Sequence, residues 1–139
     1  MRVTTPMNVD GKLDEDVYRT VTPMTDFIQV EPNVGAIETE KTELWLLYDD
    51  DNVYVMFRCW DSQPERIIGN EMRRDGTPTT NDVVTFVLDT FHDKRNGLAF
   101  NVTAVGGRTD GQITNETQWN QDLNPVWTAA AGRFEQGWT

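Results

Sequence analysis

The 139-residue sequence carries one cysteine, Cys59, and one histidine, His92. A single cysteine excludes an intrachain disulfide and a paired-cysteine zinc site. A single histidine leaves Ser-His-Asp machinery one candidate. His92 lies in Thr90-Phe91-His92-Asp93-Lys94-Arg95 with no Ser or Cys motif beside it, so it reads as a surface-turn residue. Basic residues are also few: 12 Lys and Arg against 23 Asp and Glu give a formal net charge of −11. That balance speaks against nucleic acid and anionic membrane surfaces, whose phosphates demand excess positive charge. No apolar run approaches the roughly 20 residues of a membrane-spanning helix, and no signal peptide opens the sequence. What is present is aromatic: 5 Trp, 6 Phe and 3 Tyr, too many for a disordered acidic chain. The length suits a single domain with a real core.

The block Val9 to Tyr18 predicts one short helix. Asp10 would cap it, acids fill its first turn, and Leu13 and Val17 share a face. It should end before Thr22-Pro23, because proline disfavours a helical residue ahead of it. Beyond that point the apolar period becomes two. In Thr42 to Tyr48, Leu44, Leu46 and Tyr48 alternate with Glu43, Trp45 and Leu47. After Asp49-Asp50-Asp51-Asn52, the alternation resumes at Val53, Val55, Phe57 and Cys59, which predicts a β-hairpin. Asn81 to Asp89 has apolar residues on both sides, the pattern of a central strand. Leu98, Phe100 and Val102 mark a further strand, Gly106-Gly107 a turn, and Val126 to Phe134 a last apolar segment. Asp61 to Pro64 and the polar stretch Thr109 to Pro125 read as loops. The predicted class is all-β, a β-sandwich with one short N-terminal helix.

Chemistry-bearing candidates are sparse. Asp49-Asp50-Asp51 could attract Ca²⁺, but it lacks the spacing of an EF-hand loop, and turns favour Asp and Asn in any case. No pair among the carboxylates is singled out as a glycosidase acid and base. No catalytic residue is assigned. Trp119 is the most informative position, because a tryptophan in a polar stretch exposes a large apolar face that something should cover. A sugar can stack there while the neighbouring Gln118 and Asn120 bond its hydroxyls; alternatively, Trp119 folds back as a loop anchor. Trp45 shares a face with Glu43, so it reads either as an outward platform or as packed beneath a loop. In Arg73-Arg74-Asp75, Arg74 could hold hydroxyls or a carboxylate with its planar fork, or form a surface ion pair.

Three separated stretches, Val9 to Glu15, Leu46 to Val55 and Asn81 to Asp89, resemble the family 9 carbohydrate-binding modules. The closer likeness is to the family-9-like N-terminal domain of large bacterial cell-surface proteins. There Asp26 to Pro32, Arg73-Arg74-Asp75 and Asp89 to Asp93 also recur in similar form. The resemblance implies a jelly-roll β-sandwich that binds sugars of polysaccharides such as xylan, outside the cytoplasm. It also implies attachment to a glycoside hydrolase or surface protein, structural calcium in some members, and a covalent C-terminal partner domain.

In xylan-binding members two tryptophans clamp a terminal sugar, helped by a Glu. Here that Glu position is Thr85, the first clamp position falls near Thr79 or Thr80, and Trp119 matches the second. The expected reading is a non-catalytic carbohydrate-binding module, with ligand contacts at Trp119, Asn120, Gln118, Arg74, Thr85 and Trp45. A structural or interaction domain of a surface protein with a lost sugar site is the alternative. Relatives continue past Gly137-Trp138-Thr139 with another strand. An unpaired edge, and a homodimer formed through it, are therefore expected.

Overall fold

The computed structural model describes residues 1–76 and 78–139, with the side chain of Thr79 outside the described set. Its elements run α1 (Val17–Thr20), β1 (Thr42–Tyr48), β2 (Val53–Trp60), β3 (Val83–Leu88), β4 (Gly97–Thr103), β5 (Arg108–Thr114), β6 (Gln118–Asn120), β7 (Arg133–Phe134) and β8 (Gly137–Trp138). The strands form two antiparallel sheets, ordered β1-β2-β8-β7 and β3-β4-β5-β6. This is an all-β chain, consistent with the β-sandwich class that the period-two patterning predicts. Two compact units divide it: Met1–Arg66 with Gly132–Thr139, and Ile67–Ala131.

In the first unit the β1–β2 hairpin forms as expected, with Leu47 opposite Tyr54 and Trp45 opposite Met56. Asp49 closes it: its Oδ1 accepts the N–H groups of Asp51 (2.8 Å) and Asn52 (2.7 Å), and its Oδ2 accepts the Tyr54 hydroxyl at 2.7 Å. Those bonds, the Tyr54 hydroxyl foremost, hold the Asp49 carboxyl below its ordinary range. The buried face of β1 is the one with Glu43, Trp45 and Leu47. Val3, Leu47 and Tyr54 form its core, with Met7, Val17, Val21 and Met56 packed against them.

The helix is shorter than the sequence suggests. Asp10 Oδ1 accepts the Lys12 N–H at 2.9 Å, and Gly11 adopts φ +81°, so this stretch forms a local turn and not a first helical turn. Helical bonding starts only at Asp16, whose carbonyl accepts the Thr20 N–H. β8 lies between β2 and β7, and Thr139 exchanges both backbone bonds with Gly132.

In the second unit a meander runs from β3 to β6. Two readings change here. Within Asn81 to Asp89, β3 is an edge strand, not a central one: among the described residues it pairs with β4 alone, and its Thr85 and Val87 are exposed. The stretch read as a loop, Thr109 to Pro125, contains most of β5 and all of β6. Its residues are too polar to signal a strand. They become one because β4 offers a complete ladder, from Val102 opposite Arg108 to Gly97 opposite Ile113. In the last apolar segment only Arg133–Phe134 pairs as a strand. Trp127 instead packs edge-on against Phe100 at 5.1 Å, and Phe100 stacks on Phe86 at 5.0 Å. These aromatics cover one face of the β3–β6 sheet; the other face carries Thr85, Asn101, Thr109 and Gly111 together with Val87, Ile113 and Trp119.

Candidate functional site

Cross-strand partners share a face, so the ladder determines what lies together on that second face. Thr85, Asn101 and Thr109 are aligned across β3, β4 and β5, and Ala99 is aligned with Gly111. Trp119 is opposite Ile113 on β6 and so joins them. A depression of about 370 Å³ opens there, lined by Asp75, Gly76, Pro78, Asn101, Thr109, Trp119 and Gln121. That volume lies in the range of small-ligand sites, roughly 300–1,000 Å³.

Trp119 is seated on a missing side chain. A Cβ placed on Gly111 would lie 2.3, 2.4 and 2.7 Å from three atoms of the Trp119 six-membered ring. Only glycine at 111 lets the indole come down onto the β5 backbone. The sheet therefore covers part of the ring, while 47 % of the residue stays open to solvent. Trp119 thus folds back onto the sheet with one part of its ring and keeps the rest in solvent.

The turn before β6 sets Trp119 in place. Asn115 and Glu116 have φ of +50° and +70°. Their N–H groups are held by Asn96 Oδ1 (3.2 Å) and by the Arg95 carbonyl (2.7 Å).

The polar lining is ordered by hydrogen bonds. Thr85 donates its hydroxyl to Asn101 Oδ1 at 2.7 Å, and the Asn101 Nδ2 in turn donates one of its two hydrogens to the Thr109 carbonyl at 3.5 Å. Thr109 donates to the Gly76 carbonyl at 3.1 Å, and the Gln121 amide donates to the Asp75 carbonyl at 3.3 Å. Asn101 and Gln121 are thus each fixed by a hydrogen bond in the lining they share with the indole. Such a lining can donate to and accept from hydroxyls around an apolar face.

The other expected ligand residues are dispersed. Thr85 lies on the right face, one strand from the depression, and acts through Asn101. Gln118 and Asn120 flank Trp119 in sequence and so point to the opposite side of the sheet. Asn120 Oδ1 is engaged by the Asp122 N–H at 2.9 Å. Arg74 turns inward: its Nη2 donates to Asp110 Oδ1 at 3.1 Å and to Asn124 Oδ1. Trp45 belongs to the first unit and is 2 % exposed, with Tyr18 edge-on at 5.5 Å and its Nε1 donating to the Val21 carbonyl. It has no face to offer a ligand. Its neighbour Glu43 is buried as well, compensated by Lys41 (2.7 Å), Arg58 (3.2 Å) and the Trp60 Nε1–H (3.2 Å), which is why the shared face is inward. Thr80 is exposed on a turn at Pro78–Thr80, and the Thr79 side chain lies outside the described residues.

Asn101, Thr109, Gln121 and Asp75 are not among the ligand residues expected from the sequence. The one hint was Asn101, a weak strand former in the middle of an apolar strand. For calcium, no group of three His, Cys, Asp or Glu side chains gathers among the described residues. The carboxylates of Asp49, Asp89 and Asp93 are instead engaged by N–H groups of their own turns.

No family model matches the chain, and neither a curated protein nor a solved structure does.

Proposed function

We propose that this chain is a non-catalytic carbohydrate-binding module, whose ligand is a saccharide unit of a polysaccharide seated on Trp119. The observation that carries this reading is the half-exposed indole on Gly111, flanked by Asn101, Thr109 and Gln121. Sugars have C–H faces that stack on aromatic rings and hydroxyl edges that need donors and acceptors. An aromatic floor with amide and hydroxyl walls meets both needs. The likeness of Leu46 to Val55 and Asn81 to Asp89 to family 9 modules supports the same class of ligand. In that reading the module is extracytoplasmic and brings a larger protein to polysaccharide.

Affinity electrophoresis through gels containing xylan, mixed-linkage glucan, mannan or starch tests it. At least one polymer should retard the protein, and Trp119→Ala should weaken that retardation about tenfold, as expected for one aromatic contact. Equal mobility in every gel would remove sugar binding from the account.

A further inference from the structure

The depression has a single charged residue among its described lining residues, Asp75. Its backbone is locked. φ is +58°, its N–H donates to the Arg108 carbonyl at 2.9 Å, and its carbonyl accepts Gln121. Its carboxylate is 41 % exposed, with Oδ2 at 3.5 Å from Arg74 Nε. Arg74 in turn is drawn inward by Asp110, which is fully buried and also accepts the Trp127 Nε1–H at 2.8 Å.

One guanidinium thus faces two carboxylates, and the local balance is 1 − 2 = −1. Arg73 pairs with Glu71 at 2.9 Å, and Arg108 directs its guanidinium to the Trp127 ring and carbonyl. The buried Asp110 therefore shares with Asp75 the one positive charge at the rim.

From this arrangement we infer that Asp75 selects the ligand. The site takes uncharged saccharide units, whose hydroxyls donate to the Asp75 carboxylate, and it rejects uronic acids. The inference rests on the sugar-binding reading and adds the ligand's charge class to it. Arg74 and Asp110 are positioning residues: Asp110 shares the guanidinium that pairs with Asp75, so the two carboxylates keep a net negative charge. A hydroxyl given to a carboxylate forms a charge-assisted bond, roughly twice as strong as a neutral one. A uronate brought to the same place meets like charge, in a protein that already carries −11.

The test uses the full chain in affinity gels with neutral polymers (xylan, mixed-linkage glucan, mannan, starch) and with polyuronates (polygalacturonate, alginate). Retardation by a neutral polymer and none by either polyuronate is the expected result. Asp75→Asn should then weaken the neutral interaction about tenfold. Asp75→Glu, which keeps the charge, should lose less. Retardation by a polyuronate equal to that by the neutral polymers would overturn the inference while leaving sugar binding intact. So would an Asp75→Asn protein that melts like the parent and binds neutral polymer unchanged. Mobility unaffected by every polymer would overturn the sugar-binding reading itself, and this inference with it. The comparison of polymers on the unaltered protein decides the matter even where a variant fails to fold.

Discussion

Replacing Gly111 by alanine perturbs the candidate site without touching the tryptophan. Gly111 lies in the middle of β5, in register with Ala99 of β4, so alanine suits its backbone. The obstacle is the indole, with three Trp119 ring atoms within 2.3–2.7 Å of the new Cβ. Since β5 is held between β4 and β6, Trp119 must move outward. Overpacking of this kind costs about 1–3 kcal/mol, against a gain of about 0.4–1 kcal/mol from the stiffer unfolded chain. The net loss is about 1–2 kcal/mol. For a chain of this size that lowers Tm by roughly 3–7 °C.

The cause is identified by repeating the substitution in a Trp119→Ala background. There the clash is gone, and Gly111→Ala should be neutral or slightly stabilising. Urea unfolding of the four proteins closes a double-mutant cycle, with a coupling energy of about 1–3 kcal/mol expected. In sugar gels, Gly111→Ala should weaken retardation nearly as much as Trp119→Ala, because the displaced indole no longer floors the depression. An equal cost of Gly111→Ala in both backgrounds would refute the seating of Trp119 on Gly111.

Two further outcomes follow from the buried charges. Asp110→Ala removes the acceptor of the Trp127 Nε1–H and the buried one of the Arg74 guanidinium, which keeps Asn124 and Asp75. Breaking a buried pair costs about 3–5 kcal/mol, and because Arg74 keeps a third of its side chain in water, about 2–3 kcal/mol is expected by urea unfolding. Asp110→Asn, which retains an acceptor for Trp127, should cost clearly less. Glu43 supplies a pH test. Burial alone would raise its pKa, but hydrogen bonds from Lys41 and Trp60 and the charges of Lys41 and Arg58 outweigh it and hold the value below 4.5. The unfolded chain therefore binds this proton at higher pH than the folded one. The stability Glu43 contributes is complete above 4.5 and is lost as pH falls through its lower folded value. Glu43→Gln should flatten that acid limb, and an unchanged slope would remove Glu43 from the account.

Period two was enough to find three strands, even though in β1 and β2 the alternating apolar residues lie on the more exposed face. β1, β2 and β4 were legible from Leu, Val and Phe at every second position, and the Asp49 turn from its Asp and Asn content. Trp119 stood out because a large apolar ring in a polar stretch must be covered by something. Which face of β1 is inward was not legible, since Leu44-Leu46-Tyr48 is as apolar as Trp45-Leu47, with Glu43 beside the latter. Lys41, Arg58 and Trp60 settle it by meeting the buried carboxylate.

β5 was illegible for a related reason. Thr109-Asp110-Gly111-Gln112 has no strand signal of its own. It is ordered by the β4 ladder and by Arg74, 36 positions before Asp110. The walls of the candidate site come from segments as far apart as Asp75 and Gln121, separated by 46 positions. Local patterning reports burial along one strand, through side-chain alternation and turn chemistry. Which distant polar groups meet around an exposed indole depends on cross-strand register, and register exists only once the sheet has formed.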